Sequence, residues 1–163
     1  FRLKKTKIVE QISERPFESE MGSQFTLKVF QNTISGEKHY ALVKNITDEN
    51  QPVFVRMHRL NVTKDIFEEK NIFGSEIKSA FQLIEKNGSG AIVLINSEMS
   101  PNILKTFNNR KRSKNKLELR EYGVGAQILS LLQINKIILL TNTKKRIIAL
   151  EGFNIEIVDQ RKI

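Results

Sequence analysis

The stretch VRMHRLNVTKDIF, residues 55–67, gathers Arg56, His58, Arg59, Asn61 and Asp65 within a few positions. An imidazole with a carboxylate nearby raises the question of metal binding. The metal reading needs further ligands, because a catalytic zinc takes about three from the protein. Close to His58 the sequence offers Asp65, Glu68 and Glu69, with no second histidine at a useful spacing. A single histidine near a strand end is more commonly a hydrogen-bonded structural residue, and that is the reading the spacing favours.

Two other groups of residues invite chemistry. Glu118 and Arg120 stand near the start of a long helical pattern, where they could act as a carboxylate base with a cationic partner. Charges at a helix N-terminus also serve simply to solvate it, with Glu favoured by the dipole. LLTNTKKR (139–146) reads as a strand, a polar turn and a helix start rich in cations. Backbone N–H groups at such a terminus bind anions, which makes the segment a phosphate-site candidate. The glycines of a P-loop or dinucleotide fingerprint are missing, so the signal does not specify a ligand.

Composition narrows the field. The 163 residues fit one domain and carry no cysteine. Disulfides, thiolate nucleophiles and cysteine-ligated zinc or iron–sulfur sites are thereby excluded. The lack of disulfides points to a cytoplasmic protein. No apolar run reaches the roughly 20 residues that a membrane helix needs, and no signal peptide is visible. The chain begins at Phe1, as expected for a piece of a longer protein. Its net charge is +9, which favours anionic partners. The excess concentrates in Lys105, Arg110, Lys111, Arg112, Lys114 and Lys116, read as a solvated basic loop over 105–116. Aromatic residues do not interleave with it after Phe107, so stacking on single-stranded nucleic acid is not expected.

The elements that must position these residues follow from periodicity. Residues 1–20, charged and interrupted by Pro16, read as a linker or an extended edge. FTLKVF (25–30) and HYALV (39–43) alternate around a Gly-containing turn and predict a hairpin, with PVFVRM (52–57) as a third strand. Ile77, Ala80, Phe81 and Ile84 recur at helical spacing, and Gly88 is placed to end that helix. AIVLI (91–95) and KIILLT (136–141) are buried strands, and FNIEIV (153–158) is a final one. A short helix is expected around 102–107 and a long one over 119–133, and Thr143 can cap another. Alternation of strand and helix in the second half predicts a mixed α/β (α+β) domain.

The run LELREYGVGAQILSLLQINKIILLTNTKKRIIALEGFNIEIV, residues 117–158, resembles the C-terminal half of GTP cyclohydrolase II, a zinc enzyme that opens the guanine ring of GTP. MGSQFTLKVF, GEKHYALVK, VRMH and IEKNGSGAIVLI are similar to earlier parts of that family, so the resemblance spans nearly everything from Met21 onward. It implies an N-terminal antiparallel hairpin followed by strands and helices around a mixed sheet, over residues 21–163. FRLKKTKIVEQISERPFESEMG resembles the connector that follows a 3,4-dihydroxy-2-butanone 4-phosphate synthase domain in bifunctional proteins. Residues 1–20 would then be a linker from a preceding synthase domain.

The resemblance also shows what has been replaced. The family's three zinc cysteines fall on Asn61 and near Asn71 and Phe73, or on Ile72 and Gly74 without a gap. None of these forms a zinc ligand set, so loss of the zinc is expected and no cofactor is assigned. The acid and serine of the family's HSE read Leu60 and Arg59. A guanine-binding Gln falls on Glu76, or on Ile77 without a gap. Glu98 begins a phosphate motif whose arginine is lost, and a stretch carrying a catalytic Tyr and a substrate Thr is absent where NNRKRSKNK stands.

Surviving positions cluster on the phosphate side. Arg56 matches a substrate-contacting Arg, Glu118 a general-base Asp, Arg120 a proposed nucleophile towards the α-phosphate, Thr141 a substrate-contacting Thr, and Arg146 a Lys. The resemblance therefore implies a degenerate cyclohydrolase domain of a riboflavin biosynthesis protein. It would be unable to hydrolyse GTP and would act as a structural or regulatory partner of the synthase domain, as a homodimer. Two alternatives stand beside it: a vestigial module binding GTP, pyrophosphate or another phosphate, and residual cyclohydrolase activity by a route without zinc. Nucleic acid ranks last as a ligand.

Overall fold

A computed structural model describes residues 7–48, 50–60, 73–96, 112–143, 150 and 152–163. The strands are β1 (Val9–Glu18), β2 (Gln24–Asn32), β3 (Lys38–Lys44), β4 (Val53–Leu60), β5 (Gly90–Asn96), β6 (Lys136–Leu140) and β7 (Glu156–Arg161). The helices are α1 (Phe73–Asn87) and α2 (Arg112–Leu131). All strands join one mixed sheet in the order β1-β2-β3-β5-β4-β6-β7. The pairs from β1 to β5 along that order are antiparallel, and β5-β4, β4-β6 and β6-β7 are parallel. This is the mixed α+β architecture that the alternating pattern predicts.

Local chemistry explains the turns. The Asn32 side chain accepts from the backbone N–H groups of Ile34 and Ser35, at 2.9 and 3.1 Å, and so closes the β2–β3 hairpin. Gly88 ends α1 by donating its N–H to the Ile84 carbonyl at 2.9 Å. Gly90, at φ +155, begins β5 where a Cβ would stand 2.9 Å from the Phe54 carbonyl oxygen and 2.7 Å from Ile84. Only glycine lets α1 and β4 approach β5 this closely.

The sheet is covered on both faces. Ala80 and Ile84 of α1 pack with Phe54, Ile92 and Leu140, while Val124, Ile128 and Leu129 of α2 pack with Val55, Val93 and Ile137. Ile92 and Val93 are neighbours on β5 and point to opposite faces, so the two helices lie on opposite sides of the sheet. The path β4–α1–β5 moves one way across the sheet, and β5–α2–β6 returns past β4 to its other side. That reversal leaves a crevice beyond the carboxyl end of β4, where open α/β sheets bind ligands.

Three segments depart from or refine the sequence expectations. Val9–Glu18, within the stretch read as linker or extended edge, forms β1 and is registered along β2. The helix expected over 119–133 begins at Arg112, so Arg112, Lys114 and Lys116 belong to α2 and not to a basic loop. Lys, Leu, Glu and Arg are good helix formers, and nothing in RSKNKLELRE breaks a helix. The last strand runs over 156–161 instead of 153–158, because Gly152–Asn154 form a turn in which Asn154 takes φ 59. Asn tolerates this left-handed conformation, which a strand cannot hold. The helix expected near 102–107 and the one after Thr143 lie outside the described residues.

Candidate functional site

Arg56 lies in the middle of β4 and faces α1. It is 9% exposed. Its Nη1 donates to the Leu140 carbonyl of β6 at 3.0 Å, and its Nη2 pairs with a carboxylate oxygen of Glu76 in the first turn of α1. The other Glu76 oxygen accepts from the Asn142 amide at 3.0 Å, and Asn142 in turn accepts from the Ile163 N–H at 3.2 Å. One network thus ties β4, α1, the end of β6 and the segment after β7. Among the described residues the buried Nε of Arg56 has no acceptor, and such an orphan donor costs about 1–3 kcal/mol.

A second cation leaves β4 toward the opposite face. Arg59 Nε stands 3.1 Å from a carboxylate oxygen of Glu121 on α2. Gly125 brings α2 down onto the strand, because a Cβ there would overlap the Met57 Cε methyl and stand 3.2 Å from Ile95. His58, between the two arginines, is 3% exposed.

These groups line a cleft of about 330 Å³ at the carboxyl ends of β4, β5 and β6. Met57, Ile95 and Leu139 supply apolar surface, and Tyr122, Thr141, Asn142 and Thr143 supply polar edges. The Thr141 hydroxyl donates to the Thr143 carbonyl at 3.0 Å and accepts from the Thr143 N–H at 3.3 Å, which fixes the turn after β6.

Beside the cleft, on the face covered by α2, His39 of β3 is 1% exposed. Its Nδ1 accepts from the Asn96 N–H at 3.1 Å, so the proton sits on Nε2, which has no partner among the described residues. Burial pulls its pKa from 6.5 down to about 4. His39 therefore stays neutral and anchors the carboxyl end of β5.

Of the residues singled out from sequence, Arg56, His58 and Thr141 meet at the cleft. Arg120 is exposed on α2 and does not line it, although its neighbours Glu121 and Tyr122 do. Glu118 lies within α2 with its side chain outside the described set. Glu98, Arg146, Asn61 and Asn71 lie outside the described residues, and Phe73 is described as the start of α1. The pairing of Arg59 with Glu121 and of Asn142 with Glu76 had no local signal, since the partners are far apart in sequence.

The zinc of the resembled family does not fit this donor set. The chain has no cysteine, and both of its histidines are buried on strands. Among the described residues no group of His, Asp and Glu could hold a metal. No helix among them is long and apolar enough to cross a membrane.

Comparison with known proteins agrees with the fold. The riboflavin biosynthesis protein RibBA of Porphyromonas gingivalis is 37% identical over 174 residues, covering 98% of this chain and 43% of that protein. RibBA of Aquifex aeolicus is 29% identical over 176 residues, with the same coverage of 98% and 43%. The chain thus spans less than half the length of these relatives. A solved structure described as RibBX, a two-domain 3,4-dihydroxy-2-butanone 4-phosphate synthase from A. baumannii, shares the fold with a TM-score of 0.67 at 24% identity, over 98% of this chain and 42% of that one. The model of the family described as GTP cyclohydrolase II matches residues 10–162, and the chain belongs to that family.

Proposed function

We propose that this chain is a catalytically degenerate GTP cyclohydrolase II domain that supports a 3,4-dihydroxy-2-butanone 4-phosphate synthase domain in a riboflavin biosynthesis protein. The observation that carries the reading is the donor chemistry. With no cysteine anywhere and both histidines buried in the sheet, the chain lacks the cysteines with which the resembled family holds its zinc and generates hydroxide near neutral pH. The buried Arg56–Glu76 pair supports the same reading, because an arginine at a substrate position is engaged by the protein itself. The apolar core and close helix–sheet contacts at Gly90 and Gly125 keep the scaffold intact, as a supporting domain requires. The names of the relatives and of the solved two-domain synthase favour the synthase as the partner. Residues 1–20 would make the connection, part of them as β1.

Two measurements test the two halves. With GTP and zinc, formate release is expected to stay at the level of a metal-free blank; release clearly above it would establish residual activity and end the degenerate reading. In the parent protein, removal of residues 21–163 is expected to lower the synthase rate or its melting temperature. An unchanged rate and melting temperature would refute the supporting role.

A further inference from the structure

The cleft has an open volume and two arginines in its described lining. Each guanidinium in the described lining carries its own carboxylate: Arg56 pairs with Glu76, and Arg59 with Glu121. Asn142 holds the second oxygen of Glu76, so this carboxylate is fixed against Arg56 from two sides. An anion arriving at Arg56 would have to displace a tethered carboxylate or accept its repulsion at short range. The remaining lining is an apolar floor of Met57, Ile95 and Leu139 with Tyr122 and a Thr–Asn–Thr edge. A cleft of about 330 Å³ lies at the small end of the range for small-molecule sites, about 300–1,000 Å³.

We propose that Glu76 is a built-in anion that occupies the Arg56 site, so that the cleft accepts an uncharged, hydrogen-bonding ring compound of nucleoside size and turns phosphate esters away. Glu76 is then the specificity-determining residue of the cleft. The inference deepens the non-catalytic reading. Its test measures binding, whereas that reading is tested by formate release, so either can fail alone.

The test uses the full chain in low-salt calorimetry. Guanosine and GTP serve as probes because they share a ring and differ in charge, and inorganic pyrophosphate reports on the anion site alone. The wild-type chain is expected to bind guanosine at least about tenfold more tightly than GTP. Glu76→Gln is expected to raise pyrophosphate affinity by about tenfold or more, since it removes one charge beside Arg56. Adding Arg56→Met to Glu76→Gln is expected to abolish that gain. GTP binding by the wild type as tight as guanosine binding would overturn the proposal, as would silence toward guanosine at millimolar concentration. A folded Glu76→Gln chain with no gain for pyrophosphate would also overturn it. If that variant fails to fold, the wild-type comparison of guanosine with GTP still decides.

Discussion

Two arginines leave one strand and meet acids on opposite faces of the sheet, yet they sit in different physical regimes. In the Arg56–Glu76 pair the side chains are 11% and 14% exposed; in Arg59–Glu121 they are 48% and 13%. The first pair is desolvated on both sides, and its partners are held by further hydrogen bonds from Leu140 and Asn142. The second has an arginine open to water. The difference teaches that residue type and proximity do not set the worth of an ion pair. A buried pair becomes expensive when one partner is removed, whereas a pair with a solvated member contributes little.

The comparison breaks first at Arg56. Arg56→Ala is expected to destabilise the fold by about 3 kcal/mol in urea denaturation, because it leaves the largely shielded Glu76 carboxylate without its cation. Replacing both partners, as in Arg56→Met with Glu76→Leu, is expected to recover most of that loss. A loss below about 1 kcal/mol for the single variant would place the pair in the solvated class.

His39 supplies the next effect, as a buried polar group that remains neutral where the arginines are paired. Its pKa is about 4 in the fold against an ordinary 6.5. On acidification the unfolded chain takes up the proton first, so the stability contributed by neutral His39 is full above pH 6.5. It is lost as the pH falls from 6.5 to about 4. The loss amounts to at most about 3 kcal/mol, read as the fall in unfolding free energy between pH 7 and pH 4. His39→Gln is expected to flatten that slope; an unchanged slope would assign the acid sensitivity to other groups.

The smallest effect is expected at Arg59. Arg59→Ala should cost less than about 1 kcal/mol, and its effect should shrink further in high salt. A loss as large as that of Arg56→Ala, unaffected by salt, would erase the distinction between the two faces.

Much of the scaffold was legible in the residue pattern. Ile77, Ala80, Phe81 and Ile84 announced α1, and Gly88 its end; the apolar runs of β5 and β6 announced strands covered on both sides. The misplaced boundaries have local causes. A dense positive charge masked the helix propensity at the start of α2, and the left-handed Asn154 delayed β7. The cleft was half legible. Arg56, His58 and Thr141 were recognisable, but the engagement of Arg56 was not, because Glu76 lies 20 residues away and Leu140 84. A list of cations suggests an anion site; the structure shows two of them already paired with carboxylates.

The sequence alone determined that no thiolate chemistry and no cysteine-held zinc exist in this chain, since a missing side chain cannot be supplied by folding. It also placed β2 to β6 and the two helices in order, because periodicity is a local property. Only the tertiary structure decided which charges face which. Chain reversal at β4 brings α1, α2 and the end of β6 to one cleft, and burial there turns Arg56 from a candidate ligand contact into half of an internal pair. Distance and desolvation set that outcome, and neither is written in any single stretch of residues.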